Sequence, residues 1–395
     1  MTIAELAPEP FTRRGRAPSR PLKLALVTGS YHAIRDGVTL TLNRLVDYLS
    51  RHGVRTLVFA PDAPPAFAYS GRVIPVPCVP IPLRPEYQLA LGLSKRARRR
   101  LRGFRPDVIH LATPDLLGHE ALRVGEALRC PVVGSYHTRY ETYLEHYGLG
   151  FLAPEAGRRI RQFYAACREV YVPSQSMADQ LMASGAAANI RLWSRGVDAE
   201  RFHPSKRSET WRGHHGFEPG ELVVAFVGRL VREKRLATYV EAMQGLRARG
   251  APCRALVVGH GPDRAWMQRE LPEGVFTGFL DGEALAMAYA SSDIFFFPSD
   301  TETFGAVTLE AMASGLPTLC ADATGSRSLV VPGVTGFIDA ADHPPAFMAR
   351  IQQLAADPEQ RVGMGAAARE RSLAFSWDEA MSTILGRYEA MAAAA

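Results

Sequence analysis

The sequence predicts an α/β protein built from two doubly wound parallel-sheet domains facing a cleft. Three observations lead there. Short β-branched runs alternate with helix-period segments over most of the chain. The alternation breaks at a polar, irregular stretch after Pro204, "SKRSETWRGHHGFEPGE", which suits a linker, and then restarts. The 395 residues are 47% hydrophobic, enough apolar material for two cores rather than one.

In the first series, strands are expected at 22–27, 55–59, 108–111, 132–135 and 170–172, with a helix at 37–52 between the first two. The second series reads strand 222–227, helix 236–249 and strand 255–258, then "GHGPD" opening another helix. Strands 275–277, 294–297 and 318–320 follow. The expected organisation is a disordered lead-in at 1–20, an N-terminal domain at 21–204 and a C-terminal domain at 205–372. A helix within 373–395 is expected to pack back toward the N-terminal domain. In open parallel sheets, ligands bind beyond the carboxyl ends of the strands.

Composition removes several classes. No apolar run approaches the roughly 20 residues that span a bilayer, and the Pro- and Arg-rich N-terminus does not read as a secretory signal. Five scattered cysteines, with no Cys-x-x-Cys pair, suggest neither a zinc site nor a disulfide framework and fit a reducing cytoplasm. The net charge of +6 is unevenly placed: residues 1–205 hold 28 basic and 17 acidic groups, the remainder 18 and 23. A basic half attracts phosphate or anionic lipid.

Chemistry concentrates in a few stretches. In "PSDTETFGAVTLEAMASGLPTLCAD", Phe304-Gly305 stands just before a helix. Gly305 allows close backbone approach, and the N–H groups of Ala306 and Val307 make an anion site at the helix N-terminus. Glu310 then falls about one turn into the helix, and Glu302 in the preceding loop; the competing reading makes Glu302 a cap acid and Glu310 a solvated helix residue. In "FVGRLVREKRL", Gly228 ends a strand, and Arg229 and Lys234 are spaced to clamp two phosphates, against the alternative of a solvated loop. His137 directly follows a strand, as a cleft residue or a satisfied structural histidine. Gly37 opens a helix and offers N–H groups to a phosphate or sugar, or simply permits a turn.

Taken together, the glutamate pair with Phe304-Gly305, the Arg229 to Lys234 span, "GHGPD" and "EAMASGLP" resemble the retaining GT-B glycosyltransferases of family 4, over 22 to about 388. "SYHTRYETYLEHYGLG" and "IRLWSRGVDAERFHP" resemble sulfoquinovosyldiacylglycerol synthases and GDP-mannose-dependent α-mannosyltransferases, which glycosylate lipids; "RDGVTLTLNRL" is closer to the second. The resemblance implies two Rossmann-like domains and a UDP- or GDP-linked sugar donor. The implied acceptor is a membrane lipid or glycolipid, with a soluble or polysaccharide-precursor acceptor as the alternative. Arg229 and Lys234 would hold the diphosphate, Glu302 the donor sugar hydroxyls and Glu310 the ribose. Gly228, Gly305, Ala306 and Val307 would line the sugar and phosphates. His137 would sit beneath the sugar, and Gly37 near the phosphates from the other domain. The run 322–326 departs from the more Gly-rich run of relatives. No Asp-x-Asp occurs, so no obligatory metal and no other cofactor is expected.

The segment "LGLSKRARRRLRGF" places Leu93, Ala97, Leu101 and Phe104 at helical spacing among six cations. It reads either as an interfacial helix on an anionic membrane or as a domain helix with a solvated basic face. Nucleic-acid binding would need interleaved aromatics, and the cluster has only Phe104, so no nucleic-acid partner is expected. The expected location is cytoplasmic, with peripheral contact to the inner face of the plasma membrane.

Overall fold

The computed structural model describes residues 20–33, 36–81, 84–137, 153–187 and 189–394. The expected lead-in and most of "SYHTRYETYLEHYGLG" lie outside them. The chain forms two compact units. One runs to Ser194 and regains Asp378–Ala395; the other is Arg195–Trp377.

The N-terminal unit contains β1 (Lys23–Val27), β2 (Arg55–Pro61), β3 (Arg72–Val76), β4 (Cys78–Ile81), β5 (Arg84–Ala90), β6 (Val108–Leu111), β7 (Val132–Ser135), β8 (Glu169–Val172) and β9 (Ile190–Leu192). Seven of these make one sheet in the order β3-β2-β1-β6-β7-β8-β9, and every pairing in it is parallel. Strands β6, β7 and β8 are buried along their whole length, as sheets covered on both faces require. The hairpin β4–β5 stands apart as an antiparallel pair.

The C-terminal unit contains β10 (Leu222–Val227), β11 (Cys253–Val258), β12 (Val275–Gly278), β13 (Ile294–Phe297), β14 (Thr318–Ala321) and β15 (Gly336–Asp339), in the order β12-β11-β10-β13-β14-β15 and all parallel. Order reverses at β10/β13, which makes that junction the switch point of a doubly wound sheet.

The stretch after Pro204 is not a linker. Helix Glu209–His214 belongs to the C-terminal unit, with the Arg212 guanidinium buried and donating to the Ser291 carbonyl (2.9 Å) and to Asp293 (3.1 Å). The units therefore divide at Ser194/Arg195, ten residues before the expected 204/205 boundary. Most of the run is exposed, as its polar composition suggests, while Arg212 and Phe217 are buried and anchor it.

The last helix, Trp377–Ala393, packs on the N-terminal unit. Its Tyr388 hydroxyl bonds His110 Nδ1 at 2.5 Å, while His110 Nε2 bonds the Ser135 hydroxyl. Arg387 pairs with Glu169 of β8. Burial pushes the His110 imidazole down to about 3, so it is neutral at physiological pH.

The basic helix is Lys95–Phe104, and Leu93, Ala97 and Leu101 lie in the core of the N-terminal unit. Its apolar face is therefore already used. Lys95, Arg96, Arg99, Arg100 and Arg102 face solvent, and Arg98 pairs with Glu120.

Candidate active site

The loops leaving β10 and β13 carry the charged groups of the C-terminal unit. The loop after β10 is locked to the loop after β11: Gly228 N–H donates to Val258 O (3.0 Å), and Leu230 N–H to His260 O (3.0 Å). A Cβ on Gly259 would stand 1.9 Å from the Gly228 carbonyl oxygen, and one on Gly261 would stand 2.2 Å from that of Leu230. The glycines of "GHGPD" thus let two backbones touch, which fixes where Arg229 begins.

A single 3₁₀ turn, Arg232–Lys234, then brings Lys234 back toward the end of β13. Its ammonium contacts Glu302 Oε1 directly, with each side chain only 16% exposed, and lies 5.8 Å from the Phe297 ring centre. Ser299 Oγ donates to the same carboxylate oxygen at 3.1 Å. Burial works to raise the Glu302 carboxyl, but the Lys234 charge and hydrogen bond, the Ser299 hydroxyl and the Arg195 charge outweigh it and hold the group below its ordinary range. Arg235 places two nitrogens on one Asp300 oxygen, at 2.5 and 3.0 Å. Arg229 is more open, 3.9 Å from Glu233. The Lys234–Glu302 pair is thus largely desolvated, while Arg229 and Arg235 stay partly open to solvent.

Phe304 is buried, and Gly305 adopts φ 90°, ψ 55° as the N-cap of helix Ala306–Ala313. No side chain caps that end, so the backbone donors of the first turn remain open to an anion. Glu302 is consequently not the cap acid. Its carbonyl instead accepts from Gly325 N–H (2.8 Å) and Thr324 Oγ1 (2.9 Å). Gly325 is required there, because a Cβ would lie 2.5 Å from the Phe304 carbonyl. The 322–326 run thus keeps the one glycine that the approach to Phe304 demands. Glu310 is not simply solvated: it is half-buried and accepts from the Tyr289 hydroxyl at 3.1 Å.

The structure therefore gathers Gly228, Arg229, Lys234, Glu302, Gly305, Ala306, Val307 and Glu310 on the C-terminal unit. His137 and Gly37 belong to the other unit. His137 is buried at the end of β7, its ring 5.1 Å from that of Trp193. At the helix that Gly37 opens, the Asp36 carboxylate accepts from Val38 and Thr39 N–H in a capping box; neither of these donors is the Gly37 N–H.

Sequence reading missed Arg195, Ser299 and Tyr289. Arg195 lies inside the quoted "IRLWSRGVDAERFHP", but its burial against Phe304 (5.8 Å to the ring) has no local signature. Among the described residues no group of three or more His, Cys, Asp or Glu is arranged to hold a metal ion. A cavity of about 720 Å³ at the ends of β13, β14 and β15 is lined by Arg235, Asp300, Asp322, Asp339 and Asp342, and by none of the residues expected to bind the donor.

Residues 35–201 match the description Glycosyltransferase Family 4, and residues 207–371 match Glycosyl transferases group 1. A GDP-mannose-dependent alpha-mannosyltransferase of Mycobacterium tuberculosis is 37% identical over 94% of this chain and 97% of its own length. The chain belongs to glycosyltransferase family 4. A sulfoquinovosyl transferase SQD2 of Arabidopsis thaliana is 34% identical over 93% of this chain and 73% of its own. Sucrose-phosphate synthase of Thermosynechococcus elongatus, 22% identical, superposes with a TM-score of 0.76 over 95% of this chain and all of that one. The fold is GT-B, and the protein is a glycosyltransferase that uses nucleotide sugars.

Proposed function

We propose that this glycosyltransferase transfers a hexosyl unit with retention of configuration, from a UDP- or GDP-linked donor to a lipid or glycolipid acceptor at an anionic membrane. The observation that carries the donor half is the Lys234–Glu302 pair beside the uncapped helix end at Gly305, at the switch point of the sheet. Arg229 and Lys234 neutralise the leaving diphosphate, Ala306 and Val307 N–H groups bind its oxygens, Glu302 accepts sugar hydroxyls and Glu310 the ribose hydroxyls. Of the N-terminal unit's residues, His137 is assigned to the sugar and Gly37 to the phosphates. The bond from the anomeric carbon to phosphate breaks through an oxocarbenium-like state, and the acceptor hydroxyl forms the new bond on the same face. Its proton passes to the departing phosphate oxygen, so no carboxylate base is needed. The mannosyltransferase relative favours a GDP-linked mannosyl donor as the first to test.

The acceptor half rests on the basic helix and its neighbours. Lys95, Arg98, Arg99 and Arg102 line a groove of about 440 Å³. Val79, Leu89 and Leu91, on and just after the hairpin β4–β5, stand exposed a few residues before that helix. Cations with exposed apolar groups nearby fit an anionic bilayer surface, and the helix meets it through its basic face alone.

Incubation with UDP- and GDP-sugars and a lipid extract, followed by mass spectrometry, tests the reading: a lipid product heavier by one hexosyl unit is expected. Donor turnover that yields only a glycosylated soluble acceptor would overturn the lipid assignment. Flotation with anionic vesicles should show binding that salt weakens, and absent or salt-insensitive binding refutes the membrane surface.

A further inference from the structure

We propose that Lys234 is exchanged between Glu302 and the donor diphosphate, and that Arg195 is the positioning residue that holds Glu302 once Lys234 has moved. The inference rests on the donor-site assignment above and concerns how that site discriminates an intact donor from the spent nucleotide.

Lys234 carries one positive charge on a flexible four-carbon stem, and in the unliganded site that charge is spent on Glu302. A diphosphate arriving at Lys234 must compete with this carboxylate and, once bound, is repelled by it across a mostly desolvated gap. Only a donor that still carries its sugar relieves the repulsion, because its hydroxyls donate to Glu302. After transfer the sugar is gone, Glu302 reclaims Lys234 and the nucleoside diphosphate is expelled. Glu302 thereby favours substrate over product.

The carboxylate cannot be left unpaired in so buried a place when Lys234 departs. Arg195 supplies the second cation. Its side chain is buried, its guanidinium lies 5.8 Å from the Phe304 ring centre, and its charge acts on Glu302. It sits on a fixed segment. The next residue, Gly196, is packed so closely that a Cβ would stand 2.1 Å from Trp377 N, and Val197 N–H donates to Phe375 O at 3.0 Å. Ser299 Oγ holds the same carboxylate at 3.1 Å. Glu302 thus has one cationic partner on a flexible stem, one hydroxyl partner in Ser299, and in Arg195 a second cation whose charge reaches it.

Calorimetric titration of UDP and GDP, and steady-state kinetics with the sugar donor, separate the parts. Glu302→Gln should bind the better of the two diphosphates about 3- to 30-fold tighter than wild type while turning over the donor more slowly. Arg195→Met, checked for folding by thermal melting, should weaken the diphosphate by about fivefold or more and the donor by less, because the donor's sugar hydroxyls still satisfy Glu302 when Lys234 leaves it. Arg195→Lys should recover part of the loss. If Lys234→Ala weakens the diphosphate but Glu302→Gln leaves it unchanged or weaker, the exchange is refuted and the donor site stands. If Arg195→Met leaves diphosphate affinity within about twofold of wild type, its positioning role is refuted. If Lys234→Ala binds the diphosphate as wild type does, the donor-site assignment itself falls.

Discussion

Gly259→Ala is expected to disable the site from a position outside the residues assigned to it. The new Cβ would lie 1.9 Å from the Gly228 carbonyl oxygen, at a backbone φ of +144°. Real Cβ atoms do not come within 3.0 Å of a backbone atom, so one of the two peptides must retreat by about 1 Å. Gly228 directly precedes Arg229, and the displacement is delivered to the guanidinium. A misplacement of about 1 Å in a positioned group costs on the order of 10²-fold in rate, roughly 2.7 kcal/mol of barrier. The strained backbone adds roughly 1–3 kcal/mol of lost stability. The assays are kcat on the folded fraction, titration with UDP and GDP, and urea denaturation. Gly363→Ala is the control. It lies inside helix Pro358–Ser372, with nothing within 4 Å of its added Cβ, and should stabilise by about 0.5–1 kcal/mol with unchanged kcat. A folded Gly259→Ala protein with kcat within about threefold of wild type would refute the claim that the two loops position Arg229.

Arg229→Ala and Lys234→Ala should each lower turnover by at least about tenfold, since each removes about 1.4 kcal/mol or more of transition-state stabilisation, and wild-type turnover in both would end the phosphate-clamp assignment. The N-terminal unit should lose stability on acidification. His110 is held down to about 3 when folded, whereas an unfolded histidine titrates near 6.5, so between those values the unfolded chain binds the extra proton. The resulting loss, on the order of a few kcal/mol, is absent at neutral pH and grows as pH falls from about 6.5 toward 3. Denaturation curves of wild type and His110→Gln at pH 7 and pH 5 should converge toward acid, and parallel curves would refute the neutral, buried imidazole. Tyr388→Phe strips the hydroxyl from His110 Nδ1 and should cost about 1–3 kcal/mol in urea denaturation; an unchanged midpoint would show that the last helix is held by its apolar face alone.

What could be read from the sequence divides along physical lines. Runs such as Leu222–Val227 and Ile294–Phe297 declare themselves because a strand buried on both faces must be apolar throughout. Strands β3 and β9 escaped notice because edge strands are released from that rule: β3 carries Pro75 and β9 is three residues long. Loop glycines and strand-end cations were legible for the same local reason, since they follow a strand directly. Pairings were not. Lys234 and Glu302 are 68 residues apart, and His110 and Tyr388 are 278 apart, so nothing nearby in sequence says that one neutralises or satisfies the other. The same limit hid how helix Glu209–His214 is anchored: the run after Pro204 is largely exposed, as its composition suggests, but the acceptors of Arg212 come from residues 221 to 293, so nothing local says that this one guanidinium is buried. Composition showed the charge and left its partner unknown. In the donor site that partner matters most: Lys234 read as a free cation implies a site that grips any diphosphate, whereas Lys234 already bound to Glu302 implies one that must be opened by a sugar.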